Sequence, residues 1–164
     1  FARELWNLVL EFRPDALLDL HEGWGLRRLG HRFPDGTLSV GQTLIVYDSR
    51  DARSFAKHVT SYLDKYHVKD QKNYSFMIIG PPVAGSLARK AGAELGIPAF
   101  IAEPSQYNTL LETRIRWQKV FAEEFLKWYG VLDRSRTIVP KAYRASAGGL
   151  WAPSLAPWST VAAA

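Results

Sequence analysis

Two ionisable residues, His21 and Glu103, each directly follow a short apolar run of the sequence. His21 follows residues 16–20 and Glu103 follows residues 97–102, and both runs are typical of buried strands. Functional groups of an open α/β sheet gather beyond the carboxyl ends of its strands, so parallel strands would bring both side chains to one cleft. A neutral imidazole can bind a metal, and a carboxylate in an apolar setting has a raised pKa and can act as a general base. The pair is therefore a candidate for a metal-bound water with a carboxylate base beside it.

Each of these two residues also has a purely structural interpretation. His21 could be a hydrogen-bonded histidine that only supports the fold, as many histidines after strands are. Glu103 precedes Pro104 and could be a charged loop residue or a cap for the next helix. Both interpretations stay open on the sequence alone.

The other histidines and one loop are weaker candidates for chemistry. His67 and Asp70 have a spacing compatible with a metal, but they are predicted to lie in a solvated polar loop. His31 and His58 are predicted to be surface residues. Residues 80–85 precede a helix and could bind an anion, but they lack the Walker lysine and are predicted to form a tight connection.

Hydrophobic periodicity predicts four helices and four strands that would position these residues. The helices are predicted at residues 2–12, from a cap at 48–49 to residue 66, at 85–95 and at 109–129, and the strands at 16–20, 43–47, 75–79 and 97–102. This alternation indicates an α/β fold with a mostly parallel or mixed sheet and helices on both faces. A turn at residues 33–37 predicts a small hairpin that could add an antiparallel edge.

The first and last of these helices each have a predicted apolar stripe. The first presents Leu5, Leu8, Val9 and Phe12 on one face. The last is expected to begin with a capping box of Thr109 and Glu112 and to end at Gly130. Its predicted buried positions are Leu111, Ile115, Phe121, Phe125, Leu126 and Tyr129.

The composition of the 164 residues is that of one ordinary globular domain, with 47% hydrophobic and 23% charged residues. We assign residues 1–133 to a partial α/β hydrolase-type catalytic domain. Residues 134–164 are predicted to be an irregular tail, basic and rich in Ala, Pro and Gly. No apolar run reaches the length of a membrane span.

The absence of cysteine excludes disulfides and thiolate metal sites, so a metal would need His, Asp or Glu ligands. It also favours the cytoplasm or an organelle interior over secretion. The net charge of +5 permits a nucleic-acid partner, but basic and acidic residues are mixed along the helices and no nucleic-acid-binding motif is present. The nearest basic cluster comprises Arg134, Arg136, Lys141 and Arg144.

Two stretches together resemble the zinc carboxypeptidase superfamily, and within it the succinylglutamate desuccinylase/aspartoacylase-like branch. The first stretch is Asp19-Leu20-His21-Glu22. The second begins with Gly85-Ser86-Leu87-Ala88-Arg89 and ends with Leu95-Gly96-Ile97-Pro98-Ala99-Phe100-Ile101-Ala102-Glu103. The helix with Glu112, Arg114, Arg116, Trp117 and Gln118 is also similar to the segment that follows the glutamate in that branch. The similarity covers roughly residues 2–130.

The resemblance implies that His21 is a zinc ligand and that Glu103 is the general base in hydrolysis of an amide bond. The substrate would be an N-acyl amino acid or a C-terminal peptide, and Trp24, Arg27 and Tyr107 are candidates for its pocket wall. The family's other two ligands form a His-x-x-Glu motif, which this sequence lacks, and that motif is expected before Phe1.

Two explanations follow from the missing motif. Either an N-terminal portion of the catalytic domain is missing, or the protein is a catalytically incomplete relative. In the second case we expect a structural or interaction subunit of a larger assembly, whose contacts include the tail with Trp151 and Trp158.

Overall fold

The computed structural model describes residues 2–68, 74–139 and 159–162. The helices are α1 (Ala2–Phe12), α2 (Arg50–Tyr66), α3 (Leu87–Leu95) and α4 (Leu111–Trp128), and a short 3-10 helix covers Arg27–Leu29. The strands are β1 (Leu17–Leu20), β2 (Thr43–Tyr47), β3 (Met77–Ile79), β4 (Ala99–Glu103), β5 (Arg136–Val139) and β6 (Ser159–Ala162). The predicted α/β class is confirmed.

The first four strands form one mixed sheet in the order β1-β4-β2-β3. The pairs β1–β4 and β2–β3 are parallel, whereas β2 and β4 are antiparallel. The expectation that the early hairpin supplies the antiparallel edge is wrong, because the antiparallel pairing lies at the centre of the sheet. The predicted turn forms only a single bridge between Arg32 and Leu38.

Helices cover both faces of this sheet, as the sequence predicts. On one face, α2 and α4 enclose an aromatic core in which Phe55 and Phe100 have ring centroids 4.9 Å apart. On the other face, α3 packs through Ala88 and Ala91 against Ile101 of β4. Alternate residues of β4 thus belong to different cores, and this alternation assigns each β4 side chain to one face of the sheet.

The ends of α2 and α3 follow from their capping residues. The Ser49 side chain accepts a hydrogen bond from the Ala52 N–H at the start of α2, and Ser86 does the same for the Arg89 N–H in α3. Gly96 adopts a left-handed conformation (φ 67°) and ends α3.

The first and last helices differ from their predicted packing. Leu5, Leu8 and Phe12 of α1 are 37–74% exposed, while Val9 is buried. The predicted capping box of α4 is wrong, since Leu110 is the N-cap and no side chain caps the helix. The apolar stripe of α4 is also wrong in its first turns, because Leu111 and Ile115 are more than half exposed and Trp117 and Val120 are buried instead, whereas the predicted burial of Phe121 is confirmed.

The segment predicted to be an irregular tail contains the antiparallel pair β5–β6. The residues between these strands, including Lys141, Arg144, Trp151 and Trp158, lie outside the described residues. The division at residue 133 therefore stays a prediction. None of the helices described is long and apolar enough to cross a bilayer.

Candidate active site

The parallel pairing of β1 with β4 brings His21 and Glu103 side by side. Leu17 pairs with Ala99 and Leu20 with Ala102, and the same register continues to a bridge between Gly23 and Ser105. Beyond the end of β1, the His21 N–H still donates to the Ala102 carbonyl oxygen at 2.9 Å. His21 is therefore opposite Glu103, the last residue of β4.

Asp19, His21 and Glu103 lie on one face of the sheet. Side chains alternate along a strand, so residues two positions apart share a face. Ala99 and Ile101 contact the core under α3, and Glu103 continues that series along β4. Leu17 contacts the same core, and Asp19 and His21 continue its series along β1. The structure thus brings together the two residues predicted from the sequence and adds Asp19.

Glu103 is buried, with only 7% of its surface exposed, and its environment favours the protonated form. Burial raises the pKa of Glu103 from its ordinary value of 4.5 to about 7. The charge of His21 opposes this rise in pKa and the charge of Asp19 adds to it. A carboxyl group with a pKa near neutrality can both accept and return a proton at physiological pH.

His21 is held by Asp19, which stands two residues earlier in the chain. The His21 Nδ1 atom donates to Asp19 Oδ1 at 2.9 Å. This hydrogen bond is the largest cause of the raised pKa of His21; partial burial lowers that pKa, and the charges of Asp19 and Glu103 raise it further. The imidazole is 62% exposed, and Nε2 is the ring nitrogen left to meet a ligand.

Gln42 fixes the backbone on both sides of Glu103, a role that sequence reasoning missed. The Gln42 N–H donates to the Glu103 carbonyl at 2.6 Å, and Gln42 Oε1 accepts from the Ser105 N–H at 2.9 Å. Gln42 Nε2 donates to the Tyr74 carbonyl at 2.7 Å, and the residue is 1% exposed. The only signal in the sequence is that Gly41 and Gln42 interrupt the apolar pattern just before β2.

Helix α4 supports the His21 end of the site. The Gln118 amide donates to the His21 carbonyl. Arg114 Nε contacts Glu22 Oε1 at 2.9 Å, and Gln106 Nε2 donates to Glu22 Oε2 at 3.1 Å. These contacts tie the residue after His21 to both the helix and the loop that follows Glu103.

The backbone beyond His21 lies directly against the backbone before β2. A Cβ atom on Gly23 would lie 2.7 Å from the Gly41 Cα, and one on Gly41 would lie 2.0 Å from the Gly25 carbonyl oxygen. The Ser105 hydroxyl donates to the same Gly25 oxygen at 2.5 Å. The segments at Gly23–Gly25 and Gly41 thus meet backbone to backbone, and the Ser105 side chain joins the third segment to them.

Of the three predicted wall residues, Trp24 and Tyr107 lie together and Arg27 does not join them. The rings of Trp24 and Tyr107 have centroids 6.5 Å apart, and His31 stacks edge-on to Tyr107 at 4.6 Å. Arg27 instead lines a separate cavity beside Lys57.

The other three histidines agree only in part with their predicted positions at the surface: His58 is exposed, whereas His31 and His67 are half-buried. His31 is half-buried and its Nδ1 accepts from the Leu26 N–H at 3.1 Å. His58 Nε2 contacts Glu124 Oε2 at 2.8 Å, between α2 and α4. His67 is half-buried at the end of α2, where burial lowers its pKa, and Asp70 lies outside the described residues.

A catalytic zinc ion takes three protein ligands and keeps one open position. The hydrogen bond that the His21 imidazole donates to Asp19 is typical of a zinc-bound histidine. However, the described part of the chain contains no group of three His, Asp or Glu side chains placed to hold a metal. These residues alone therefore do not fit a zinc centre.

Geometry and electrostatics are thus the basis for assigning this site. Comparisons of the chain with protein-family models, with curated proteins and with solved structures found no match.

Proposed function

We propose that the protein hydrolyses an amide bond, with Glu103 as the general base. The observation that carries this proposal is a buried carboxyl group with a pKa of about 7, opposite a histidine at one edge of the sheet. Carboxyl groups tuned in this way are characteristic of catalytic acids and bases. Structural carboxylates usually have paired charges and lower pKa values.

In the proposed reaction, ionised Glu103 removes a proton from water as the water oxygen attacks the amide carbonyl carbon. The protonated Glu103 then gives that proton to the leaving nitrogen, so that the carbon–nitrogen bond breaks and an amine and a carboxylic acid are released. The positive charge of His21 lowers the pKa of Glu103 and so increases the ionised fraction at neutral pH.

A zinc ion held partly by His21 belongs to the proposal on the strength of the sequence resemblance. The described residues provide one imidazole for it, with Asp19 behind the ring. Its other ligands would have to come from outside the described residues. The proposed substrates, small N-acyl amino acids or C-terminal peptides, rest on the same resemblance.

The test measures amine release from a panel of N-acetyl and N-succinyl amino acids, with and without added zinc. Glu103→Gln is expected to lower kcat by at least about a hundredfold, because the general base is lost while the side-chain shape is kept. Glu112→Gln, at an exposed carboxylate of α4, is the matched control. Equal activity of Glu103→Gln and the control would contradict the proposal.

Zinc is tested separately by metal analysis of the purified chain and of His21→Ala. Stoichiometric zinc that is lost in His21→Ala is the expected result. A chain that hydrolyses amides without bound zinc would retain Glu103 as base and refute His21 as a ligand.

A second candidate, an interaction subunit without activity, is favoured by the exposed apolar side chains of α1. Leu8 is 47% and Phe12 74% exposed, on a helix that packs against the core under α3 through Trp6. Contiguous exposed apolar surface often marks a protein interface. This candidate predicts an inactive chain whose concentration-dependent assembly, measured by light scattering, is lost in Phe12→Lys.

A further inference from the structure

A cavity of about 570 Å³ lies beside α2 and β3, the strand at one edge of the sheet. Val46 and Ile78 form part of its apolar wall, and Ile78 is 40% exposed. Its volume falls in the range of small-molecule binding sites. The cavity therefore has room for a ligand with an apolar body.

The same cavity has an excess of positive charge. Arg53 is already paired, since its Nη2 donates to Asp48 Oδ2 at 2.5 Å and its Nε contacts Oδ1 of the same carboxylate. Arg27 donates to the neutral Ser39 carbonyl at 3.2 Å and has no ion pair with any residue that the structure describes. Lys57 lies one helical turn after Arg53 and has no ion pair within the described residues. Two positive charges are thus available.

The cavity is separate from the candidate active site. Val46 belongs to the core under α2 and α4, and Ile78 is opposite Leu44 of the same core. Glu103 pairs with Thr43 at the start of β2, whereas the cavity lies at Val46 near the end of that strand, and neither Glu103 nor His21 lines it. A ligand here would leave the hydrolytic groups accessible.

We propose that this cavity binds a small organic phosphate monoester. The phosphate, which carries nearly two negative charges at neutral pH, matches the available charges of Arg27 and Lys57. Guanidinium and ammonium groups are the usual protein partners of phosphate. The apolar part of the ligand contacts Val46 and Ile78. The proposed ligand therefore needs both a phosphate group and an apolar part.

The test is titration calorimetry with phenyl phosphate, and with inorganic phosphate, benzoate and phenol for comparison. Phenyl phosphate is expected to bind most tightly, because only it combines a dianion with an apolar ring. Lys57→Gln and Arg27→Gln are each expected to weaken it by about tenfold or more, as for the loss of one charged contact. Lys65→Gln, a change on the same helix outside the cavity, is the matched control.

Asp48→Asn provides a test with the opposite sign. It frees Arg53 from its ion pair and removes the one negative charge of the cavity, so phenyl phosphate should bind more tightly than to the unaltered protein. Phenol or benzoate binding as tightly as phenyl phosphate would overturn the assignment. So would equal affinities of Lys57→Gln and the Lys65→Gln control, or weaker binding by Asp48→Asn.

Discussion

Replacing Glu103 by Gln should stabilise the protein at alkaline pH, although it is expected to abolish hydrolysis. Glu103 is buried, and ionising it in the folded state costs free energy. Glutamine has nearly the same shape and never ionises. The substitution therefore removes the cost of the buried charge and keeps the packing.

The magnitude follows from the two pKa values. The folded-state value of about 7 lies above the ordinary value of 4.5, so the native state binds more protons than the unfolded state in this interval. The free energy of unfolding consequently falls as pH rises through this interval and is constant above it. At about 1.4 kcal/mol per pKa unit, the full difference is about 3 kcal/mol. Glu103→Gln should gain this amount at pH 8 and little at pH 4.

The assay is urea unfolding of the wild type and of Glu103→Gln between pH 4 and pH 8.5, with Glu112→Gln as the exposed control. The difference in unfolding free energy should grow with pH for the Glu103 variant and remain nearly flat for the control. A difference that is the same at both ends of the pH range would refute the argument that Glu103 is ionised at a cost. If Glu103→Gln is both more stable and inactive, the residue needed for hydrolysis is also one that destabilises the folded protein when it ionises.

Three further predictions concern the supports of the site. Gln42→Leu should destabilise the protein by about 2–4 kcal/mol in urea unfolding, because buried backbone groups lose their partners; an unchanged midpoint would contradict this role. Asp19→Asn should lower the pKa of His21, measured by imidazole NMR, since the hydrogen bond that raises it is weakened; an unchanged titration would show that Asp19 does not hold the ring. Gly41→Ala should lower the melting temperature by several degrees, for a cost of about 1–3 kcal/mol from overlap with the Gly25 carbonyl oxygen; an unchanged melting temperature would contradict this close backbone contact.

The juxtaposition of His21 and Glu103 was predictable because it depends on two local signals. Each residue follows an apolar run, and parallel pairing then aligns the two strand ends. The raised pKa of Glu103 was also predictable, because its neighbours in the sequence are apolar. Both features are encoded within a few residues of the site.

The order of the strands and the supports of the site could not be predicted in the same way. The sequence shows that residues 43–47 form a strand, but not that β4 inserts between β1 and β2 in antiparallel pairing with β2. Gln42 looks like a polar loop residue until its distant partners, Ser105 and Tyr74, are known. Long-range contacts leave little trace in local patterns.

The buried face of α4 shows why periodicity failed there. Glu124 is a charged residue outside the apolar stripe of α4, yet it is buried and contacts His58 and Lys127. Paired charges allow a helix to turn a partly polar side towards its neighbour. Leu111 and Ile115, which favour burial by residue type, are left exposed on the opposite side.

The strand order also has a consequence for folding during synthesis. β4 is the last strand of the mixed sheet to be made, and it is the neighbour of both β1 and β2. Until it emerges from the ribosome, β1 has no hydrogen-bonding partner in this sheet and His21 has no Glu103 opposite it. Pairings between residues as distant as Leu17 and Ala99 close late, because a large loop must first be ordered. His21 and Glu103 therefore come together only when β4 is made, and a nascent chain that has not reached residue 103 cannot form this pair.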